Sequence, residues 1–189
     1  MGRLRYNFAA SLDGYIASPD GSYQWILEDT MEPVDFSQLL SKMDAFIMGR
    51  KTYESMLSLG PKNILKNKPR DRVAVVSRLW HQPEHEDLTI LSNNLEIIAW
   101  IRRAKEEFER DVWLMGGGEL CGLLLQEGLV ETIEVTFMPV VLGAGIKMVT
   151  GIAGSDRALH GWKLKPRSWN GSATGIVSYK YDVEYEVME

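Results

Sequence analysis

Cysteine is almost missing from the chain: Cys121 is the only one. A single thiol excludes an internal disulfide framework and any Cys-x-x-Cys metal site, and it fits a reducing compartment. Cys121 sits among Leu120, Leu123 and Leu124 and reads as buried packing rather than a nucleophile. Histidine is scarce too. His81 and His85 stand four apart, but Pro83 lies between them and no glutamate completes an H-E-x-x-H pair, so no metal site is expected. No apolar run approaches the ~18 residues of a membrane span. The opening MGRLRYNFAASLDGYIA has no apolar core of signal-peptide length, and Tyr6 occupies the position where a myristoylation signal needs Ser or Thr. Positive charge is not in excess: 21 Lys and Arg face 26 Asp and Glu, a net charge of -5. That balance argues against broad adhesion to nucleic acid or anionic membrane, though not against a small basic pocket.

What remains is the composition of a cytoplasmic globular protein, 45% hydrophobic and 25% charged over 189 residues. There is no repeat, low-complexity tract or linker, so one domain over 1–189 is expected.

Apolar periodicity sets the elements. Residues 4–10 read as a strand leading into two Asp-Gly turns. DFSQLLSKM reads as a helix capped by Asp35, with Phe36, Leu39, Leu40 and Met43 inward. AFIM (45–48) is a buried strand. Lys51 to Leu59 reads as a helix with Tyr53, Met56 and Leu57 inward, stopped at Gly60-Pro61. Strands follow near 72–78 and 88–91. Then comes the clearest helix, with Ile97, Ile101, Ala104 and Phe108 on one stripe. DVWLM (111–115) is a strand running into three glycines, ELCGLLLQEG a helix stopped by Gly128, and TIEVTFMPVVLG a strand with its loop. From Val177 to Val187 apolar and polar residues alternate, which predicts an antiparallel strand near a sheet edge with one wet face. Strands alternating with helices imply an α/β fold: a central, mostly parallel sheet with helices on both faces and antiparallel C-terminal strands.

In such a sheet, ligands bind at the carboxyl ends of the strands. Three ends carry unusual residues: Gly49-Arg50-Lys51-Thr52, Ser77-Arg78 and Gly116-Gly117-Gly118. The first and third each open a helix, whose unpaired N–H groups favour anions. Glycine lets a ligand approach the backbone, at an entropic cost that three in a row make large. The triplet is neither a dinucleotide fingerprint, since the last position of G-x-G-x-x-G falls on Cys121, nor a P-loop, since no Gly-Lys-Ser/Thr follows. Two separate anion sites with Arg50, Lys51 and Arg78 beside them suggest a dinucleotide carrying a 2′-phosphate, NADPH rather than NADH.

These segments add up to a resemblance. SLDGYIA, FIMGRKTYES, VVSR, VWLMGGGEL and VTFMPVVLGAG occur in the order found in the dihydrofolate-reductase-like superfamily. They resemble in particular its bacterial branch related to the riboflavin-biosynthesis reductase (RibD C-terminal) domain, over about residues 4–150. The resemblance implies that Gly49, Arg50, Lys51 and Thr52 hold NADPH phosphates and that Ser77 and Arg78 lie beside the 2′-phosphate. It places Gly116, Gly117, Gly118, Glu119 and Leu120 against the pyrophosphate and nicotinamide, and Ala9 and Ile16 beside the nicotinamide and the reducible ring. Trp25, Tyr53 and Thr136 fall on the substrate side. The family's acid follows a tryptophan-containing loop. Counting from Trp25 the match lands on Thr30, with Asp29 one residue short, Glu28 behind it and the usual intervening proline absent. Asp29, Glu28 and, in the SLDG turn, Asp13 are the candidate acids.

The activity implied is an NADPH-dependent reductase passing hydride to a conjugated heterocycle, either pterin-like or an aminopyrimidine. The riboflavin-type reaction on 5-amino-6-(5-phosphoribosylamino)uracil and an inactive nucleotide-binding module stand as alternatives. A homodimer is expected, from the Tyr- and Val-rich C-terminal strand and from the dimers common in that branch.

Overall fold

The computed structural model describes residues 1–26, 36–80, 86–150 and 161–185. In chain order its elements are β1 (Leu4–Ser11), β2 (Tyr15–Ala17), α1 (Phe36–Leu40), β3 (Met43–Gly49), α2 (Arg50–Ser58), β4 (Val73–Val76), β5 (Thr89–Leu91), α3 (Asn94–Glu107), β6 (Asp111–Gly116), α4 (Gly118–Gln126), β7 (Thr132–Met138), β8 (Ile146–Lys147), β9 (Lys163–Gly171) and β10 (Val177–Glu184). Eight strands form one sheet in the order β5-β4-β3-β6-β1-β7-β10-β9, and β2 pairs with β8 in a small second sheet. Strands β1, β3, β4, β5, β6 and β7 are parallel, while β10 runs antiparallel to both β7 and β9.

Alternation along the central strands explains the layering. On β3, Ala45 and Ile47 join Leu4, Tyr6, Val112 and Leu114 beneath α3 and α4. Phe46 and Met48 face the other way, with Val73, Val75 and Trp113, against Leu39, Leu40, Tyr53 and Met56. A strand covered on both faces must be apolar at every position, which is why AFIM shows no polar alternation. Each such side chain stabilises the fold by ~1.5–3 kcal/mol relative to exposure. The stripe Ile97, Ile101, Ala104 and Phe108 is buried as its spacing predicts. Among the described residues no helix is long and apolar enough to cross a membrane.

Three expectations are corrected. Leu57 is not inward but 51% exposed, because α2 rests on the sheet through Tyr53 and Met56. Met43 does not close a helix; it begins β3, and α1 is one short turn ending at Leu40. The alternating C-terminal strand is antiparallel and near the sheet edge as expected, one strand in from it: β9 covers it, and Lys180 and Asp182 reach Glu134 and Arg3. Both faces of β10 are half-covered rather than one dry and one wet. Asp35, the expected cap of α1, lies outside the described residues.

The chain order places the site. It moves outward from β3 through β4 to β5, returns to insert β6 between β3 and β1, then adds β7 beyond β1. The carboxyl tips of β4, β3, β6 and β1 therefore stand side by side.

Candidate active site

Gly49 ends β3 and is at once the N-cap of α2, at φ -72°, ψ 156°. Gly117, the residue after β6, is the N-cap of α4, at φ -93°, ψ -169°. Neither helix has a side-chain cap. By contrast α3, rising from the same edge of the sheet, closes its own start: the Asn93 side chain accepts from the Glu96 N–H, and Glu96 accepts from the Ser92 N–H. The orphan N–H groups of α2 and α4 are thus open where those of α3 are partly satisfied.

The two open starts touch. A Cβ built on Gly49 would lie 3.8 Å from the Gly117 nitrogen, and one built on Gly116 would lie 3.6 Å from Thr52 Oγ1. Each glycine of the triplet has its own reason. Gly116 sits at φ 127°, which side chains disfavour. A Cβ on Gly118 would collide with the Lys147 carbonyl, since the 146–150 segment packs on this turn and the Thr150 N–H donates to Gly118 O. Around Gly117 there is nothing within 4 Å of the added carbon. Its open side gives an anion room to meet the start of α4.

Gly49 stands opposite Val76, so the residue after β4, Ser77, leaves the neighbouring tip. Ser77 is buried, and its Oγ accepts from the Leu79 and Trp80 N–H groups at 3.1 and 3.0 Å, closing a tight turn that leaves Arg78 exposed. Trp80 meets Tyr53 edge to face at 6.0 Å. Lys51 is exposed, whereas Arg50 is held along its own helix by an ion pair with Glu54. The structure therefore gathers Gly49, Arg50, Lys51, Thr52, Ser77, Arg78 and the glycine triplet on three adjacent tips. Glu119 is exposed in the first turn of α4, but the Leu120 side chain is buried in the core, so only its backbone amide remains to meet a ligand.

On the substrate side, Ala9 on β1 stands opposite Thr136 on β7, and Thr136 opposite Ser178 on β10. The Thr136 and Ser178 hydroxyls are 3.0 Å apart. One step back along the same strands, the Glu134 carboxylate accepts from Arg5 Nε and Nη2, Asn7 Nδ2 and Lys180 Nζ at 2.7–2.9 Å. Burial pushes the Glu134 carboxyl up, but the hydrogen bonds and charges of Arg5 and Lys180 outweigh it and hold it down at about 2. Ile16 lies on β2, and Trp25 is described up to a buried indole N–H that has no partner. Glu28 and Asp29 lie outside the described residues.

Asp13 is placed differently from a substrate acid. Its carboxylate accepts from the Ser11 hydroxyl at 2.6 Å and from the Leu142 and Gly143 N–H groups at 3.1 and 2.7 Å. The Ser11 bond first, and then those amides, lower its pKa to about 2. Asp13 clasps the loop after β1 to the loop after β7, and taking up a proton on either oxygen would weaken that clasp. Burial pushes the Cys121 thiol well up, in keeping with inert packing.

The sequence reading left out Trp80, Lys147 and Ser178. Trp80 lay in a turn, Lys147 in a loop without periodicity, and Ser178 in an alternating strand whose register the sequence could not fix.

Comparison with known proteins follows this geometry. The family model of the RibD C-terminal domain matches residues 3–178. The uncharacterized protein YwjB of Bacillus subtilis is 34% identical over 141 residues, 74% of this chain and 78% of that protein. A Shewanella sp. PV-4 protein assigned by name to riboflavin biosynthesis has a TM-score of 0.74 at 23% identity, covering 98% of this chain and 100% of its own. Dihydrofolate reductase from Enterococcus faecalis, complexed with NADP(H) and RAB-propyl, has a TM-score of 0.66 at 16% identity, covering 97% of each chain. The fold is dihydrofolate-reductase-like, and the chain belongs to the RibD C-terminal domain family.

Proposed function

We propose that the chain is an NADPH-dependent reductase of a conjugated heterocycle, pterin-like or an aminopyrimidine. One observation carries the reading: two helix starts without side-chain caps meet across the tips of β3 and β6, with open space at Gly117 between them. That arrangement fits a diphosphate, whose charge the orphan N–H groups and helix dipoles favour. Family membership and an NADP(H)-bound protein of the same fold support the same cofactor.

In this reading the backbone amides of Lys51, Thr52, Glu119 and Leu120 hold the phosphates, with the Thr52 hydroxyl beside them. Arg78 and Lys51 neutralise the 2′-phosphate, and Ser77 fixes the turn that presents Arg78. Bound there, NADPH supplies a hydride. Ala9 and Ile16 shape the face on which the nicotinamide and the acceptor ring meet, and close placement of the two rings is the protein's main contribution to rate. The Thr136–Ser178 hydroxyl pair offers both a donor and an acceptor to the polar edge of the acceptor ring. Glu134 is committed to three donor side chains and is not the proton source, so Asp29 or Glu28 takes that role. The chain works as one domain over 1–189, in the cytoplasm and as a homodimer.

A 5-amino-6-(5-phosphoribosylamino)uracil reductase is the narrower form of this reading. Loss of NADPH absorbance on adding dihydrofolate or a panel of aminopyrimidines tests it. Turnover with one acceptor supports the reading. Tight NADPH binding with no turnover on any acceptor points instead to a nucleotide-binding module.

A further inference from the structure

A diphosphate would bring two negative charges between the starts of α2 and α4. Arg50 is engaged by Glu54, and Lys51 and Arg78 serve the 2′-phosphate. On the α4 side the first-turn residue Glu119 is exposed and adds a negative charge of its own. Two helix dipoles, each equivalent to about half a charge, do not offset all three. The sequence places one cation where it is needed. From Asp111 to Thr150 the chain carries a single Lys or Arg, Lys147, and from Tyr6 to Ile26 it carries none. These two stretches supply β2, β6, α4, β7, β8 and most of β1.

The backbone of Lys147 is fixed from several sides. Lys147 pairs with Tyr15 where β8 meets β2. The Met148 N–H donates to Gly14 O at 3.0 Å, and the Tyr6 hydroxyl donates to Met148 O at 2.8 Å. The Thr150 N–H donates to Gly118 O at 3.1 Å. A Cβ built on Gly118 would lie 2.2 Å from the Lys147 carbonyl oxygen. Lys147 is thus pressed against the first residue of α4, next to Gly117 and its open side. Its side chain is exposed and makes no ion pair among the described residues.

We propose that Lys147 is a cofactor-binding residue whose ammonium neutralises the diphosphate at the start of α4. This role rests on a dinucleotide occupying the paired helix starts. Lysine suits the place. It is a compact charge with three rotatable donors on a flexible stem, so it can serve either phosphate, where an arginine fork favours one fixed pair of oxygens. The anchored backbone holds that charge beside the turn before any ligand arrives, which lowers the cost of ordering it. NADPH and NADH share the diphosphate, so Lys147 acts on both alike. Arg78, assigned to the 2′-phosphate, acts on NADPH only.

Calorimetric titration of NADPH and of NADH into the wild type, Lys147→Ala, Lys147→Arg and Lys42→Ala, with urea unfolding of each, tests the proposal. Lys42 is exposed and precedes β3 at the opposite end of the sheet, so its variant removes the same charge away from the site. Lys147→Ala is expected to raise both dissociation constants ~10-fold at low ionic strength and by less at high ionic strength, with an unchanged urea midpoint. Lys147→Arg is expected to recover most of the loss, and Lys42→Ala to bind like the wild type. If Lys147→Ala binds both cofactors like the wild type, the role is overturned while the NADPH reading stands. A loss confined to NADPH overturns it too, by moving Lys147 to the 2′-phosphate. So does an equal loss in Lys42→Ala, which would reflect net charge alone, or a loss with a lowered urea midpoint that Lys147→Arg does not restore. A wild type that binds neither cofactor overturns both the role and the reading beneath it.

Discussion

Gly49 and Gly117 approach so closely that a methyl group on Gly49 would lie 3.8 Å from the Gly117 amide nitrogen. That is ordinary van der Waals contact, and φ -72° at Gly49 suits alanine. Gly49→Ala should therefore change stability by no more than ~0.5 kcal/mol in urea unfolding. The added methyl group would fill the crevice between the two helix starts, so the NADPH dissociation constant should rise ~10-fold. An unchanged constant would show that the crevice holds no part of the cofactor.

The glycine triplet separates binding from folding. Gly117→Ala meets nothing within 4 Å, so it should fold normally and lose NADPH affinity. Gly118→Ala would press against the Lys147 carbonyl, backbone on backbone, and should lower stability by ~1–3 kcal/mol. Chemical denaturation beside fluorescence titration of NADPH reads both effects for each variant.

Arg78 is exposed beside a turn held by the Ser77 hydroxyl. Arg78→Ala should raise the NADPH constant by ~10–100-fold, the worth of a charge-assisted bond to phosphate, and leave the NADH constant nearly unchanged. An equal rise for both cofactors would remove Arg78 from the 2′-phosphate.

Glu134 ties β1, β7 and β10 together on the polar face of the sheet. Its folded pKa of about 2 lies below the ordinary 4.5, so its contribution is fully present above about 4.5 and is lost as pH falls towards about 2. Stability measured by urea unfolding should fall across that window, and Glu134→Gln should flatten the fall. At neutral pH the same variant should cost about 3 kcal/mol, because Arg5 is 5% exposed and loses its bidentate partner.

Much of this was legible in the sequence where one physical signal dominates. Ile97, Ile101, Ala104 and Phe108 announce a helix because a single buried stripe fixes their spacing. AFIM announces a doubly covered strand because no position in it tolerates water. The carboxyl-tip residues were legible because a parallel sheet sends every such tip to one edge. Strand β9 was not: KLKPRSWNG has charges, a proline and a register shift opposite Lys180/Tyr181, and it alternates only once its partner is known. Leu57 was misread because helical spacing names a stripe but not its width. Asp13 drew a substrate-side reading because a carboxylate in a turn looks the same on paper whether it faces solvent or clasps two loops. The Arg50–Glu54 pair, the Ser77 turn and the Thr136–Ser178 contact depend on side-chain geometry that spacing alone does not fix.

Calorimetric titration of NADPH and of NADH into the wild-type chain tests the paired helix starts as a dinucleotide cradle most directly. One NADPH per chain, bound at least ~10-fold more tightly than NADH and weakened by Gly117→Ala, is the predicted result. No binding of either cofactor, or binding that Gly117→Ala leaves untouched, would contradict it.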